Sequence, residues 1–492
     1  MVASPGAVNG GRVAKNTTYL TLALIGQKIL SALYIPIIAV LIGPTEIGAY
    51  IGVLSFINIF AIFIDLGLTP AFIRQTARVE NEGHREFNVI MTFKVFSSIL
   101  VTGAMFATVI LMQQSGAPHP PSLAYLRWGV LGMALDALTA TGYGFFRGLQ
   151  KLEFEAVGTV LHRVVVMIVG LVALQLGAPT IVVIIALVAG SLTNFLYVSF
   201  HLWQQGMNWR PNWHWPTLRR LLIIAFPFAV AALFGAVYAN SDNVLLQIFK
   251  NHRAVGLYGV ASKMVIAFQI LPAALVGAMY PAMSAAFIND KEKLQRLFVD
   301  AMRYLMVVFI PVMVVVVLLA QPLILHIYKA TWIDAVWPLR VLAISLPFLF
   351  LHYPIGYLLN AANRQTRNTW NIAITVVLNV GLNLIFIRRF SYQSVAIISV
   401  ISSAFLFGLG LYYARKIMPL SGRELLMTVG KTLVAGILLA VAGGALLPYS
   451  TTLPGVISVA AALGILYGIL VVALRIVRRQ EIESFLSRLR RT

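Results

Sequence analysis

An all-α integral membrane fold of about fourteen spanning helices is what this sequence predicts, and three observations carry the prediction. The chain of 492 residues is 60% hydrophobic and only 11% charged, where a water-soluble domain is roughly a quarter charged, and its mean hydropathy is +0.87. Apolar runs of about 20 residues recur from Tyr19 almost to Arg475, each long enough to cross a hydrocarbon layer roughly 30 Å thick as a helix. One passage also recurs: VGLYGVAS (Val255 to Ser262) lies over IGAYIGVLS (Ile47 to Ser55), with Gly48 on Gly256 and Tyr50 on Tyr258, an offset of 208 residues. Both copies sit just past a tight connection between long apolar segments, so the match covers helix, turn and helix and reads as a duplication.

Taken in order, the spans are expected at 19–43, 47–73, 89–112, 124–145, 156–177, 179–203, 219–249, 254–285, 299–327, 332–361, 369–388, 391–415, 425–448 and 452–476. Alternate connections hold Arg12 and Lys15; Arg74, Arg78 and Arg85; Arg147 and Lys151; Arg210, Arg219 and Arg220; Lys291, Lys293, Arg296 and Arg303; Arg364 and Arg367; Arg415, Lys416 and Arg423. The C-terminal tail adds Arg475, Arg478, Arg479, Arg488, Arg490 and Arg491, against only Lys250, Arg253, Lys329, Arg388 and Arg389 on the other side. Because loops with the Lys and Arg excess stay inside, the count predicts a multi-pass protein of the plasma (inner) membrane with both termini cytoplasmic.

Six helices precede the second copy, an even number, so the copies enter the membrane in the same direction as parallel repeats. The expected organisation is a cytoplasmic N-terminal arm (1–18), an N-lobe of six helices (19–203), an interfacial Trp-rich linker (204–218), a C-lobe of six helices (219–415) and a further helix pair (425–476). The two lobes enclose a central cavity in this reading. A basic amphipathic cytoplasmic tail follows (477–492), with Ile482, Phe485, Leu486 and Leu489 at helical spacing among arginines, suited to anionic membrane lipids. Trp203, Trp209, Trp213 and Trp215 lie in or beside the linker, and indoles favour the headgroup level.

Several chemistries are excluded. The net charge of +21 is spread over short loops rather than gathered on one soluble face, so no nucleic-acid partner is expected. The chain has no cysteine, hence no thiolate site. Gly430-Lys431-Thr432 lacks the glycine that a phosphate loop needs five residues earlier, where Leu425 stands. The Asn16-Thr17-Thr18 acceptor falls on the cytoplasmic side, and no zinc or nucleophile-elbow motif occurs. No connection exceeds about 17 residues, so there is no room for an extramembrane catalytic domain and no enzyme activity, resident metal or organic cofactor is expected.

Charge inside the spans is the positive signal, since an ionisable group at the helix centre costs about 2.5 to 3.5 kcal/mol on insertion scales. Lys28, Lys94, Arg163, Lys263 and Arg340 fall within spans, as do Asp65, Asp136 and Asp242. Lys94, Lys263 and Arg340 lie nearest the ends, within snorkelling reach of the headgroups. Five cations against three anions nevertheless predict a wet, cationic cavity for a phosphorylated cargo, with Lys28, Arg163, Lys263 and Arg340 as substrate-binding candidates. Asp65, Asp136 and Asp242 are the candidates for coupling Na+ or H+, or for charge pairing. Prolines 227, 272, 311, 338, 347 and 354 lie inside spans and permit bends. Asn371, Asn379 and Asn383 are expected to join helices.

Ordered passages then carry a family resemblance: GRVAKNTTYL, LIGPTEIGAY, IDLGLTPAFIRQTAR, FFRGLQKLEFEAVG, SDNVLLQIFKNHRAVGLYGVASK, YPAMSAAF, HIYKATWIDAVWPLRVLAISLPF and NIAITVVLNVGLNLIF. Over residues 12–415 the chain resembles the polysaccharide transporters of the MOP superfamily, which include O-antigen (Wzx-type) lipid-linked oligosaccharide flippases. The resemblance implies two six-helix lobes about a cavity open alternately to either side, and movement of a polyprenyl-pyrophosphate-linked glycan between leaflets. It matches family aspartates to Asp65 and Asp242, and family cavity cations to Lys28, Lys263 and Arg340. Partners implied are the lipid-linked oligosaccharide itself and a glycan polymerase or glycosyltransferase, in cell-surface polysaccharide or lipopolysaccharide synthesis. Two helices beyond twelve depart from many such flippases and are shared with lipid II flippases, which makes a lipid II-type precursor the alternative cargo. An ion-coupled multidrug antiporter of the same superfamily is the other alternative. It would want an acidic aromatic cavity, against the cationic excess here.

Overall fold

The computed structural model describes residues 10–77, 80–207, 209–419 and 422–477. The N-terminal arm up to residue 9 and the basic amphipathic tail from residue 478 lie outside them. Among the described residues every regular element is helical. In order they are α1 (Gly10–Asp65), α2 (Leu68–Thr76), α3 (Glu80–Gln114), α4 (Leu123–Gly148), α5 (Glu153–Gln175), α6 (Val182–Gln204), α7 (Trp215–Phe249) and α8 (His252–Ala267). There follow α9 (Ile270–Asn289), α10 (Lys291–Tyr328), α11 (Val336–Ala343), α12 (Leu346–Ala361), α13 (Gln365–Arg415), α14 (Gly422–Leu446) and α15 (Leu453–Ala473). Ten segments are long and apolar enough to span a bilayer, and the pair across Ile344 and Ser345, bent by 43°, makes an eleventh. Among the described residues this falls short of the expected fourteen, a number that would need α1 and α13 to count as two passes each and α4, which is less apolar, to be added.

The breaks explain the count. Within α1 the backbone reverses at Gly43 (φ 80°), a conformation that costs glycine least, and Pro44 follows. The corresponding break in α13 falls at Ser391 (φ 53°). Three others cut spans expected to run through. Leu66 and Gly67, both at positive φ, divide the second span before α2. The eighth span divides at Phe268 and Gln269, shortly before Pro272, and the tenth at Ile344 and Ser345, just before Pro347. Proline tolerates the first turn of a helix, where its missing N–H is not needed. Pro227, Pro311 and Pro354 instead sit inside continuous helices.

The chain divides into two compact units, Met1–Gly256 and Leu257–Thr492. In unit 1, the connection after α4 is fixed by the FFRGLQKLEFE passage. Phe145 and Phe146 are buried with Phe72 and Phe87, their rings meeting edge to face or tilted at about 6 Å. Arg147 makes a two-toothed ion pair with Glu155, and Gly148 leaves room for Thr76. The repeated glycines also meet inside this unit. A Cβ on Gly48 would stand 1.6 Å from the His252 carbonyl oxygen, and one on Gly256 would stand 2.0 Å from that of Pro44, so backbone lies directly on backbone.

In unit 2, α10 is the central element, with Phe298, Leu305, Phe309, Leu319 and Ile324 buried along it. α14 and α15 pack on α10 and on each other, with Gly436 against Ile310 and Gly443 against Leu318. The two arms of α13 are joined as expected: Asn379 Nδ2 donates to Ser402 Oγ at 3.2 Å across the break, while Asn383 Nδ2 of the same arm donates to Asn379 Oδ1 at 3.1 Å.

Candidate functional site

A single lysine organises the interior of unit 1. α3 begins at Glu80, well before the expected residue 89, which places Lys94 about four turns inside it. Snorkelling is therefore not what Lys94 does. Its side chain is fully buried, and Nζ lies 2.5 Å from Asp65 Oδ1, 2.8 Å from Thr69 Oγ1 and 3.1 Å from the Ala137 carbonyl oxygen. An ammonium has three donors, and all three find acceptors, drawn from α1, α2 and α4.

The local chain dictates this arrangement. The turn at Leu66 and Gly67 ends α1 on Asp65 and starts α2 one step later. The Asp65 carboxylate accepts the Thr69 backbone N–H at 3.3 Å and also its hydroxyl, which satisfies a donor that the first turn of α2 leaves free. The IDLGLT passage thus fixes the carboxylate that receives Lys94. Ser97 Oγ, one turn along α3, donates to the Ile64 carbonyl oxygen at 3.2 Å.

Beside this pair is a cavity of about 320 Å³, lined by Asn58, Asp65 and Thr69 from one side, by Gly129, Met133, Asp136, Ala137 and Ala140 of α4 from another, and by Leu187 of α6. Asp65 is 28% exposed to it, and Asp136 is open to it and in no ion pair among the described residues. Arg163 of α5 is half-buried, its Nε without a hydrogen bond. Its guanidinium is within electrostatic reach of Asp136, Tyr34, Tyr50 and His162. This cavity of unit 1 is therefore flanked by the satisfied pair of Lys94 and Asp65 and by the separated opposite charges of Asp136 and Arg163.

The remaining candidates are placed as follows. Lys28 is exposed on α1 and Asp242 is buried on α7, both in unit 1. Lys263 is exposed on α8 and Arg340 on α11, both in unit 2. Arg340 Nε donates to the Val317 carbonyl oxygen at 3.2 Å. The structure thus brings Asp65, Asp136 and Arg163 into one neighbourhood and adds Lys94, Thr69 and Asn58, which sequence reasoning did not assign to it. Among the described residues no group of three His, Asp or Glu side chains is placed to hold a metal ion.

Comparison with known proteins converges on one group. The family model described as polysaccharide biosynthesis protein matches residues 13–287. A probable low-salt glycan biosynthesis flippase of Haloferax volcanii is 21% identical over 398 residues, covering 80% of this chain and 81% of that protein. The lipid II flippase MurJ, solved in an inward closed conformation, superposes with a TM-score of 0.76 at 14% identity, over 93% of this chain and 98% of its own. An inward-facing multidrug resistance transporter of the MATE family, in the MOP superfamily, gives 0.65 at 17% identity, over 79% and 94%. At such identities the two structures show the fold alone.

Proposed function

This chain belongs to the polysaccharide biosynthesis protein family, and from that premise we propose that it is a polysaccharide transporter of the MOP superfamily, with the following cargo and route. The cargo is a polyprenyl-pyrophosphate-linked oligosaccharide, carried from the inner to the outer leaflet of the plasma membrane by alternating access, for cell-surface polysaccharide synthesis. Both termini are cytoplasmic in this reading, and the product is handed to a glycan polymerase or glycosyltransferase.

The observation that supports it is the charge balance left once Lys94 and Asp65 have neutralised each other. Lys28, Arg163, Lys263 and Arg340 then outnumber Asp136 and Asp242 among the ionisable groups singled out in the spans. A cationic excess among these groups favours a diphosphate over a cationic drug, because guanidinium and ammonium groups make charge-assisted bonds to phosphate oxygens. The lipid tail stays in the bilayer while the sugar and diphosphate cross. Binding shifts the protein toward the state in which these cations lie nearest the phosphates, since a ligand moves an equilibrium only by its differential affinity.

With Asp65 already engaged by Lys94, Asp136 is the residue we assign to coupling by H+ or Na+. Lys28→Ala combined with Arg340→Ala is expected to abolish export of lipid-linked glycan in cells that hold normal amounts of the protein. Export at the wild-type rate removes both residues from the mechanism. A second reading, a lipid II-type precursor as cargo, is favoured by the additional pair α14 and α15 packed on α10. Complementation of a strain depleted of its lipid II flippase separates the two.

A further inference from the structure

The segment between α6 and α7 is strapped along α3 in a regular way. The backbone N–H of Arg210 donates to Asn88 Oδ1 at 3.1 Å, that of Asn212 to Thr92 Oγ1 at 2.9 Å, and the Trp213 ring meets Phe96 edge to face at 5.7 Å. Residues 88, 92 and 96 are four apart and so lie on one face of α3. The strap follows that face toward the hydrocarbon.

Polarity changes along the same line. At its outer end, Arg220 pairs with the buried Glu86 at 2.6 Å, which holds that end of α7 against α3. Next to this pair in the chain Arg85 and Arg219, and at the head of the strap Arg210, are exposed and in no ion pair among the described residues. Next come the indoles of Trp209, Trp213 and Trp215, 46% to 56% exposed. Beyond them Phe96, Ile99 and Leu100 are exposed on α3, Ile99 at 70%. Cations, then amphipathic rings, then bare apolar side chains is the order of groups along a phospholipid: phosphate, glycerol, acyl chain.

We propose that this face of unit 1 holds one anionic phospholipid of the leaflet on the linker's side. Its phosphate lies among Arg85, Arg210 and Arg219, and its acyl chain lies over Phe96, Ile99 and Leu100. The occupant is a lipid because the site continues into the hydrocarbon, and an anionic one because Arg85, Arg210 and Arg219, beside the bonded residues of the strap in the chain, are exposed and in no ion pair among the described residues. The lipid supplies the anions that the strap lacks and so fastens α6 to α7 through α3.

The test uses the full chain in detergent micelles doped with phosphatidylglycerol or phosphatidylcholine, reading retained lipid by native mass spectrometry and thermal unfolding in parallel. The wild type is expected to prefer phosphatidylglycerol by on the order of a hundredfold, three cations contributing about fivefold each. Arg85→Gln, Arg210→Gln and Arg219→Gln together are expected to remove the preference, while Arg296→Gln with Arg364→Gln, elsewhere in the chain, leaves it intact. Asn88→Ala with Thr92→Val keeps every cation and releases the strap, and is expected to weaken the preference by about tenfold, the equivalent of two hydrogen bonds. A triple variant that still discriminates overturns the proposal, as does equal loss in the control pair. Tighter binding of geranylgeranyl pyrophosphate than of phosphatidylglycerol at the same three arginines would overturn it in favour of a loading site for the transported lipid.

Discussion

Around Asp65, unit 1 keeps its interior polarity ionic and open: a fully buried lysine meets a carboxylate that still faces a cavity of about 320 Å³. Along α13, unit 2 keeps it neutral and closed, with Asn371, Thr375, Asn379, Asn383 and Ser402 all at or below 3% exposure, bonded within the first arm and, from Asn379 to Ser402, across to the second. Amides and hydroxyls suffice to hold two membrane helices together and are inexpensive to bury. Full charges cost several times more. Where a membrane protein uses them beside water, the excess cost points to a task that neutral groups do not perform.

The largest effect that tests this contrast is at Lys94. Lys94→Ala leaves the half-buried Asp65 without its cation and is expected to cost about 3 kcal/mol, read as a lowered unfolding midpoint and lower yield of folded protein. Lys94→Met with Asp65→Leu is expected to recover most of that stability without recovering transport. Recovery of both reduces the pair to a fastening. Asp136→Asn comes next, with transport lowered by about tenfold or more, the equivalent of one charge-assisted hydrogen bond of about 1.5 kcal/mol, and an unchanged unfolding midpoint. A lowered midpoint would return Asp136 to the structural class. The smallest effect is at the seam: Asn379→Ala is expected to cost about 0.6 kcal/mol in thermal unfolding with transport near normal, and loss of transport there would erase the distinction between the two regions.

Much of this architecture is readable from the residues alone, and the failures have a common cause. Apolar length and loop charge locate the turns near 43 and 391 because polar or turn-forming residues stand at both, and the break angles at Gly43 and Ser391 fall there. A break of one or two residues inside an apolar run leaves length and hydropathy unchanged, so the divisions at Leu66 and Gly67, at Phe268 and at Ile344 are invisible to those measures. The signal was present in local chemistry: Asp65, Gly67 and Thr69 spell a helix start inside IDLGLT. Lys94 was misplaced for a related reason. The polar residues 80–88 look like loop, yet they extend α3 by more than two turns and move Lys94 from near an end to the interior. The cationic candidates are a different case. Depth along a helix says that Arg163 is inside, but the neighbours that give it meaning, Asp136 and Tyr34, come from α4 and α1, and contacts between distant helices have no trace in a single sequence.

Gly48 and Gly256 carry a consequence for the history of the gene. Two halves of a duplicated chain normally drift apart, because each new residue is judged against different surroundings. Here each glycine is part of the other's surroundings, main chain against main chain with no space for even a methyl group. A side chain placed at either position would push the other's backbone aside, so the two glycines are expected to tolerate substitution only together, if at all.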